Sequence, residues 1–198
     1  MRIVLFGATG IQHPKLREVT TANLHDLQPI EAELQPYDAC FFCLGVSVTG
    51  LTEAAYSRLT HDLTLSAAGT LSRLNPAMVF TYVSGASTDS TEQGPVMWAR
   101  VKGRTENALQ RLPFKAVYLF RPGIIQPMNG ERSKTLVYRI AYVVLAPLMP
   151  LLKWRMGARM LDTEIVGRAM LECVRHGAPK AHLEIADIAA LGAVRPGA

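Results

Sequence analysis

Val4-Leu5-Phe6-Gly7-Ala8-Thr9-Gly10 is a short apolar strand running into a glycine turn, and how the chain leaves that turn decides the reading of the fold. In a dinucleotide-binding β-α unit the first glycine makes the tight turn, the second lets backbone approach a pyrophosphate, and a third lets the helix pack closely on the strand. Here Gly10 is followed by Ile11, Gln12, His13 and Pro14, so a histidine stands where the third glycine belongs. Proline accepts a helix only at its first turn. Taken alone, the fragment also fits a plain strand-to-loop turn.

Outward from this turn the chain alternates apolar runs with amphipathic stretches. Ala39 to Leu44, Met78 to Val83 and Lys115 to Phe120 read as buried strands, and Leu16 to Val19 as a short one. Thr52 to Leu74 places Ala55, Leu59, Leu63, Ala67 and Leu71 at helical spacing and stops at Asn75-Pro76; Pro95 to Leu112 and Asp162 to His176 read as further helices. Near-continuous apolar strands joined through helices predict a Rossmann-like, doubly wound, mainly parallel α/β sheet covered on both faces. Such sheets bind ligands at the carboxyl ends of their strands. A parallel crossover takes about a dozen residues or more. The few residues between Gly10 and Leu16 are too few for one. A strand at 16–19 therefore turns back antiparallel or leaves a gap beside the first strand, and the N-terminal β-α-β unit is incomplete. An uncovered parallel strand would leave backbone groups unpaired and lower stability.

The 198 residues, 49% hydrophobic and 19% charged, suit one domain with a sizeable core. The net charge of +5 is scattered, without basic runs interleaved with aromatics, which speaks against specific nucleic-acid binding and suits a phosphate-rich cofactor equally well. The sequence opens directly on a strand pattern with no secretory signal, and the expectation is a cytoplasmic protein. Three cysteines, Cys40, Cys43 and Cys173, argue against a disulfide framework; Cys40 and Cys43, inside an apolar run, read as core packing. The five histidines show no paired ligand spacing, so no metal site is expected. Residues 135–152 are strongly apolar but interrupted by Arg139, Pro147 and Pro150, which suits a helix of a substrate region, a homodimer face or a peripheral membrane contact. The tail beyond Asp187 is expected to be loosely held.

Five pieces in order carry a family resemblance: V-L-F-G-A-T-G, then Y-D-A-C-F-F-C-L-G, Y-V-S-G-A-S-T-D-S, V-M-W-A-R-V-K-G-R-T-E-N-A-L and F-R-P-G-I-I-Q-P. Together they resemble the atypical branch of the short-chain dehydrogenase/reductase superfamily, near the nucleotide-sugar epimerases and dehydratases. Against that pattern the first helix and second strand are missing. The resemblance implies a single domain over 1–198, with a cofactor core at 1–130 and a helical substrate or oligomer region at 131–198. It implies NAD or NADP as cofactor and a small carbonyl or sugar-nucleotide-like substrate.

The family's roles transfer to matching positions only. Gly7, Ala8, Thr9 and Gly10 match the phosphate loop; Asn23 and Asp26 fall where the family contacts adenine; Leu44 and Gly45 end a strand beside the cofactor; Arg121 and Pro122 match the turn toward the substrate region. The residue that selects NAD or NADP at the second strand has no counterpart, and Lys15 and Arg17 nearby read as solvated surface charges. Ser84 matches the hydroxyl that holds a substrate carbonyl. The family's Tyr-x-x-x-Lys becomes Trp98-Ala99-Arg100-Val101-Lys102, so the lysine is kept and the tyrosine is not. An indole does not titrate usefully, so proton transfer at Trp98 should fail. Tyr82, Ser87, Asp89 and Ser90 are the substitutes within reach in sequence, each with an ordinary strand or loop role as the alternative. A catalytically impaired binding or interaction scaffold is the competing expectation.

Overall fold

The computed structural model describes residues 1–7, 13–126 and 161–193. Five parallel strands form the main sheet in the order β1 (Ile3–Phe6), β2 (Ala39–Phe42), β3 (Val79–Val83), β4 (Ala116–Arg121) and β7 (His182–Glu184). Two short strands, β5 (Ile125–Gln126) and β6 (Leu161–Asp162), pair in parallel beside it. The register runs straight across, with Phe6 opposite Phe42, Phe42 opposite Tyr82, and Tyr82 opposite Leu119. This is the expected α/β architecture.

The strands form where apolar residues meet partners on both faces. On one face Phe6, Phe42, Phe80, Tyr82 and Leu119 pack against Leu63, Ala67 and Leu71 of the helix that follows β2. Phe42 stacks between Phe6 and Phe80, with ring centroids 5.1 Å and 6.0 Å away. On the other face Phe41, Val79, Phe120 and Leu183 meet Val166, Ala169 and Met170 of α4 (Thr163–His176) and Ile188 of α5 (Ile185–Ala193). A fully buried side chain of this size stabilises by about 1.5–3 kcal/mol relative to its exposed state, so these two layers supply the driving force for the sheet.

Polar groups set the helix ends. Thr52 Oγ1 accepts a hydrogen bond from Ala55 N–H and opens α1 (Glu53–Ser57), which continues through one wide turn, Arg58–Asp62, into α2 (Leu63–Leu74). At its far end the buried Asn75 donates from Nδ2 to the carbonyls of Leu34 and Leu71 and accepts from Tyr37 N–H. α3 (Met97–Leu109) follows β3, and Asp162 Oδ1 caps α4 through Ile165 N–H at 2.7 Å.

Three expectations are corrected. Residues 16–19 form no strand: Arg17 is exposed and pairs with Glu33, and the connection from β1 to β2 holds only the 3-10 helix Gln28–Leu34 among its described residues. That short helix sinks Leu34 into the core against α2, and β2 lies directly beside β1 with no α-helix among the described residues of the connection. The chain beyond Asp187 is not loose through Ala193, because α5 packs on α4: a Cβ on Gly192 would lie 2.4 Å from the Ile165 carbonyl oxygen. Cys40 is buried as expected, but Cys43, one residue past β2, is exposed.

Candidate functional site

The carboxyl ends of β1 to β4 bring most of the sequence-singled residues to one edge of the sheet. Gly7 follows β1 at φ +102°, and a Cβ there would lie 2.9 Å from both the Cys43 carbonyl carbon and the Leu44 nitrogen. Only glycine allows this turn to press against the backbone leaving β2. Leu44 is half-buried and Gly45 exposed. Ala8, Thr9 and Gly10 lie outside the described residues. Asn23 is exposed, and its side-chain Oδ1 accepts a hydrogen bond from His25 N–H at 3.0 Å, a local turn device.

Ser84 follows β3 and is buried. Its N–H donates to the Phe120 carbonyl at 2.8 Å, and its hydroxyl faces both Glu106 Oε1 and that same carbonyl. Its own carbonyl accepts a hydrogen bond from Lys102 Nζ. Burial pulls the Lys102 ammonium down to about 8, against an upward pull from the Glu106 carboxylate. Glu106 sits one helical turn beyond Lys102 and is 0% exposed. Arg121 Nε lies 3.1 and 3.2 Å from the two Glu106 oxygens, and its Nη2 closes the fork. The same guanidinium reaches Glu184 on β7 at 3.3 Å and Ser90 Oγ at 2.5 Å. The hydrogen bonds it donates to Glu106 hold the Arg121 guanidinium above its usual value. A buried carboxylate this fully paired is a structural hub.

Trp98 opens α3 half-buried, its ring edge 3.7 Å from where a Gly85 Cβ would stand. The loop after β3 folds back on α3. A Cβ on Gly103 would fall 1.8 Å from the Asp89 carbonyl oxygen, and Asp89 N–H donates to the Ala99 carbonyl. The Asp89 carboxylate organises that loop, accepting from Thr91 Oγ1, Thr91 N–H and Gly94 N–H, and these bonds hold it below the usual carboxylate range. Pro122 is buried, and its carbonyl accepts from Ala86 N–H.

Ser84, Trp98, Lys102 and Arg121 thus surround the ends of β3 and β4, while Gly7, Leu44 and Gly45 line the ends of β1 and β2. Asn23 stands apart in its own turn. Ser90, a candidate substitute for the absent tyrosine, serves as a partner of Arg121; the residues missed in the sequence are Glu106, Glu184 and His182, whose Nε2 is buried 3.7 Å from Glu106 Oε2 without a hydrogen bond. Glu106 had a signal, the i+4 spacing from Lys102; Glu184 and His182 had none, lying on a three-residue strand far along the chain.

Two features of this edge suit a nicotinamide dinucleotide. Gly7 lets the turn after β1 close against the backbone leaving β2, and Lys102 carries donors to the end of β3. No helix N-terminus follows within residues 13–27 to face a pyrophosphate. Among the described residues no cluster of three or more His, Cys, Asp or Glu is placed to hold a metal ion, and no helix is long and apolar enough to cross a membrane.

No protein-family profile matches the sequence, and no curated protein sequence does either. Solved structures do match in shape. RMD from Pseudomonas aeruginosa complexed with NADPH superposes with TM-score 0.62 at 14% identity, over 93% of this chain and 78% of that one. The Bordetella bronchiseptica enzyme WbmF in complex with NAD+ gives 0.57 at 16%, over 92% of this chain but only 63% of WbmF, so the chain spans less than two thirds of that relative. UDP-N-acetylglucosamine 4-epimerase from Bacillus cereus gives 0.55 at 13%, over 95% and 73%. The five-stranded parallel sheet with its helices is a Rossmann-like fold shared with these structures, here without an α-helix in the described residues between the first two strands.

Proposed function

We propose that the chain is a NAD(P)-binding oxidoreductase or epimerase of the short-chain dehydrogenase type, acting on a carbonyl or sugar-nucleotide-like substrate. The observation that carries this reading is the Lys102 ammonium at the carboxyl end of β3, in hydrogen-bond contact with the Ser84 carbonyl. Structural neighbours holding NADPH or NAD+ support the cofactor class. Gly7 with Ala8, Thr9 and Gly10 would hold the pyrophosphate, Leu44 and Gly45 would flank it, and Lys102 would meet a ribose hydroxyl. A bound nicotinamide supplies hydride chemistry at its ring. The protein's part is to orient the substrate oxygen near Ser84 and Lys102 and to exclude water there with Trp98 and the 85–94 loop.

A second reading, a dinucleotide-binding scaffold with impaired catalysis, is favoured by two observations: Trp98 has no titratable hydroxyl, and the Ser84 hydroxyl is engaged by Glu106 and Phe120. Calorimetric titration with NADH and NADPH, with melting curves alongside, tests the first reading. Saturable micromolar binding with a raised melting temperature is expected; a folded chain that binds neither overturns it. Turnover gained only in Trp98→Tyr would favour the scaffold.

A further inference from the structure

The substrate-facing edge of the site holds several titratable or hydroxyl groups, and the structure shows what each is doing. The Ser84 hydroxyl has one proton and two acceptors, Glu106 and the Phe120 carbonyl. Glu106 is buried and ringed by Arg121, Ser84 and, at 3.7 Å, His182. His182 Nε2 is buried against that carboxylate. Glu184 is tied to Arg121, and Asp89 is spent on its own loop. Tyr82 is 1% exposed, hydrogen-bonded to Thr105, and its hydroxyl is held far above its ordinary range by burial. Trp98 offers an N–H that does not titrate.

Lys102 differs from all of these. One of its three N–H groups is committed to the Ser84 carbonyl, and among the described residues no carboxylate forms an ion pair with it. Glu106 is the charged group that influences it, from the same helix, and that carboxylate is already neutralised by Arg121. We propose that Lys102 Nζ is itself the proton donor and acceptor for the substrate oxygen, in the role that residue 98 cannot fill. This deepens the oxidoreductase or epimerase reading and rests on it. As negative charge develops on the substrate oxygen, one N–H bond of the ammonium breaks and its electron pair stays on nitrogen. A lone pair of the oxygen forms the new O–H bond. The amine regains its proton from water, and in the opposite direction the neutral amine takes the proton from the alcohol. A group that loses its proton near pH 8 is matched to both directions at neutral pH.

The test uses the full chain. Trace acetylation with acetic anhydride from about pH 6 to about pH 11, quantified peptide by peptide, follows the neutral amine at Lys102 beside Lys115 and Lys180. NADPH calorimetry and NADPH oxidation over a panel of aldehydes, ketones and a 4-keto sugar nucleotide run on the same sample. Lys102 should become reactive with a midpoint of about 8, carbonyl reduction should fall as pH rises through that value, and Lys102→Arg should lose about 100-fold or more in turnover measured at saturating NADPH. A Lys102 that titrates with Lys115 and Lys180, or is not acetylated at any pH, overturns the proposal even if Lys102→Arg does not fold. So does a wild-type chain that binds NADPH and reduces nothing in the panel. Failure of the folded chain to bind NADPH overturns the underlying reading instead, which separates the two.

Discussion

The β4–β7 side of the sheet and its β1 edge are built from similar apolar strands but held in different ways. Around β4, helices cover the sheet, Phe120 and Leu183 are fully buried, and the Glu106–Arg121–Glu184 network ties α3, β4 and β7 together. At β1 the described residues give the strand one neighbour, β2, and Leu5 is 40% exposed. The comparison teaches that stiffness in this fold is concentrated at the carboxyl corner of β3 and β4, where side-chain pairing supplements burial, and that the first strand depends on its single ladder and on Phe6.

The strongest way to break that contrast is Glu106→Ala, which leaves the Arg121 guanidinium and the Ser84 hydroxyl without their shared partner. Urea unfolding should show a loss of about 3–5 kcal/mol. A loss no larger than at an exposed site would mean that the network is ornamental. Next, Gly103→Ala forces a methyl into the Asp89 carbonyl, which Gly103 approaches too closely for any side chain. A loss of about 1–3 kcal/mol, with increased proteolysis of the 85–94 loop, is expected.

A third test uses pH. Lys102 is at about 8 in the folded chain and near its ordinary 10.5 when unfolded, so between these values the unfolded chain binds more protons and the lysine's contribution to stability rises with pH. The raised thiols of Cys40, Cys43 and Cys173 act in the opposite sense, since the unfolded thiols release their protons first. Comparing wild type with Lys102→Met cancels the thiols. The variant should be the more stable below pH 8, with its advantage fading between about 8 and 10.5. An advantage constant over that range would place the charge in solvent. The smallest effect belongs to the edge: Leu5→Ala should cost about 0.5 kcal/mol. β1 amides should exchange hydrogen before those of β3, and equal protection would erase the contrast.

Where burial repeats, the sequence announces the structure. Cys40 to Phe42 and Val79 to Tyr82 are buried on both faces of the sheet and almost wholly apolar, and such runs have few alternatives to a central strand. Leu16 to Val19 misleads: its two apolar residues stand three apart, on opposite faces of any strand, and the chain there lies outside the sheet. β5, β6 and β7 hold two or three residues each, too short for any periodicity to register. α5 follows β7 with no turn signal between them, since Ile185 directly succeeds Glu184. In the site, Lys102 and Ser84 are legible through motif positions, whereas the partners of Arg121 come from three separate stretches of chain and are assembled only by the fold.

Ser84 spends each of its three polar groups on a different neighbour: the amide on β4, the carbonyl on Lys102, the hydroxyl on Glu106. It works as a three-way rivet, so the end of β3 cannot shift without dragging both a strand and a helix with it. A molecule arriving at this corner therefore meets a surface cast in advance, and recognition there becomes a matter of selecting ligands whose shape already fits.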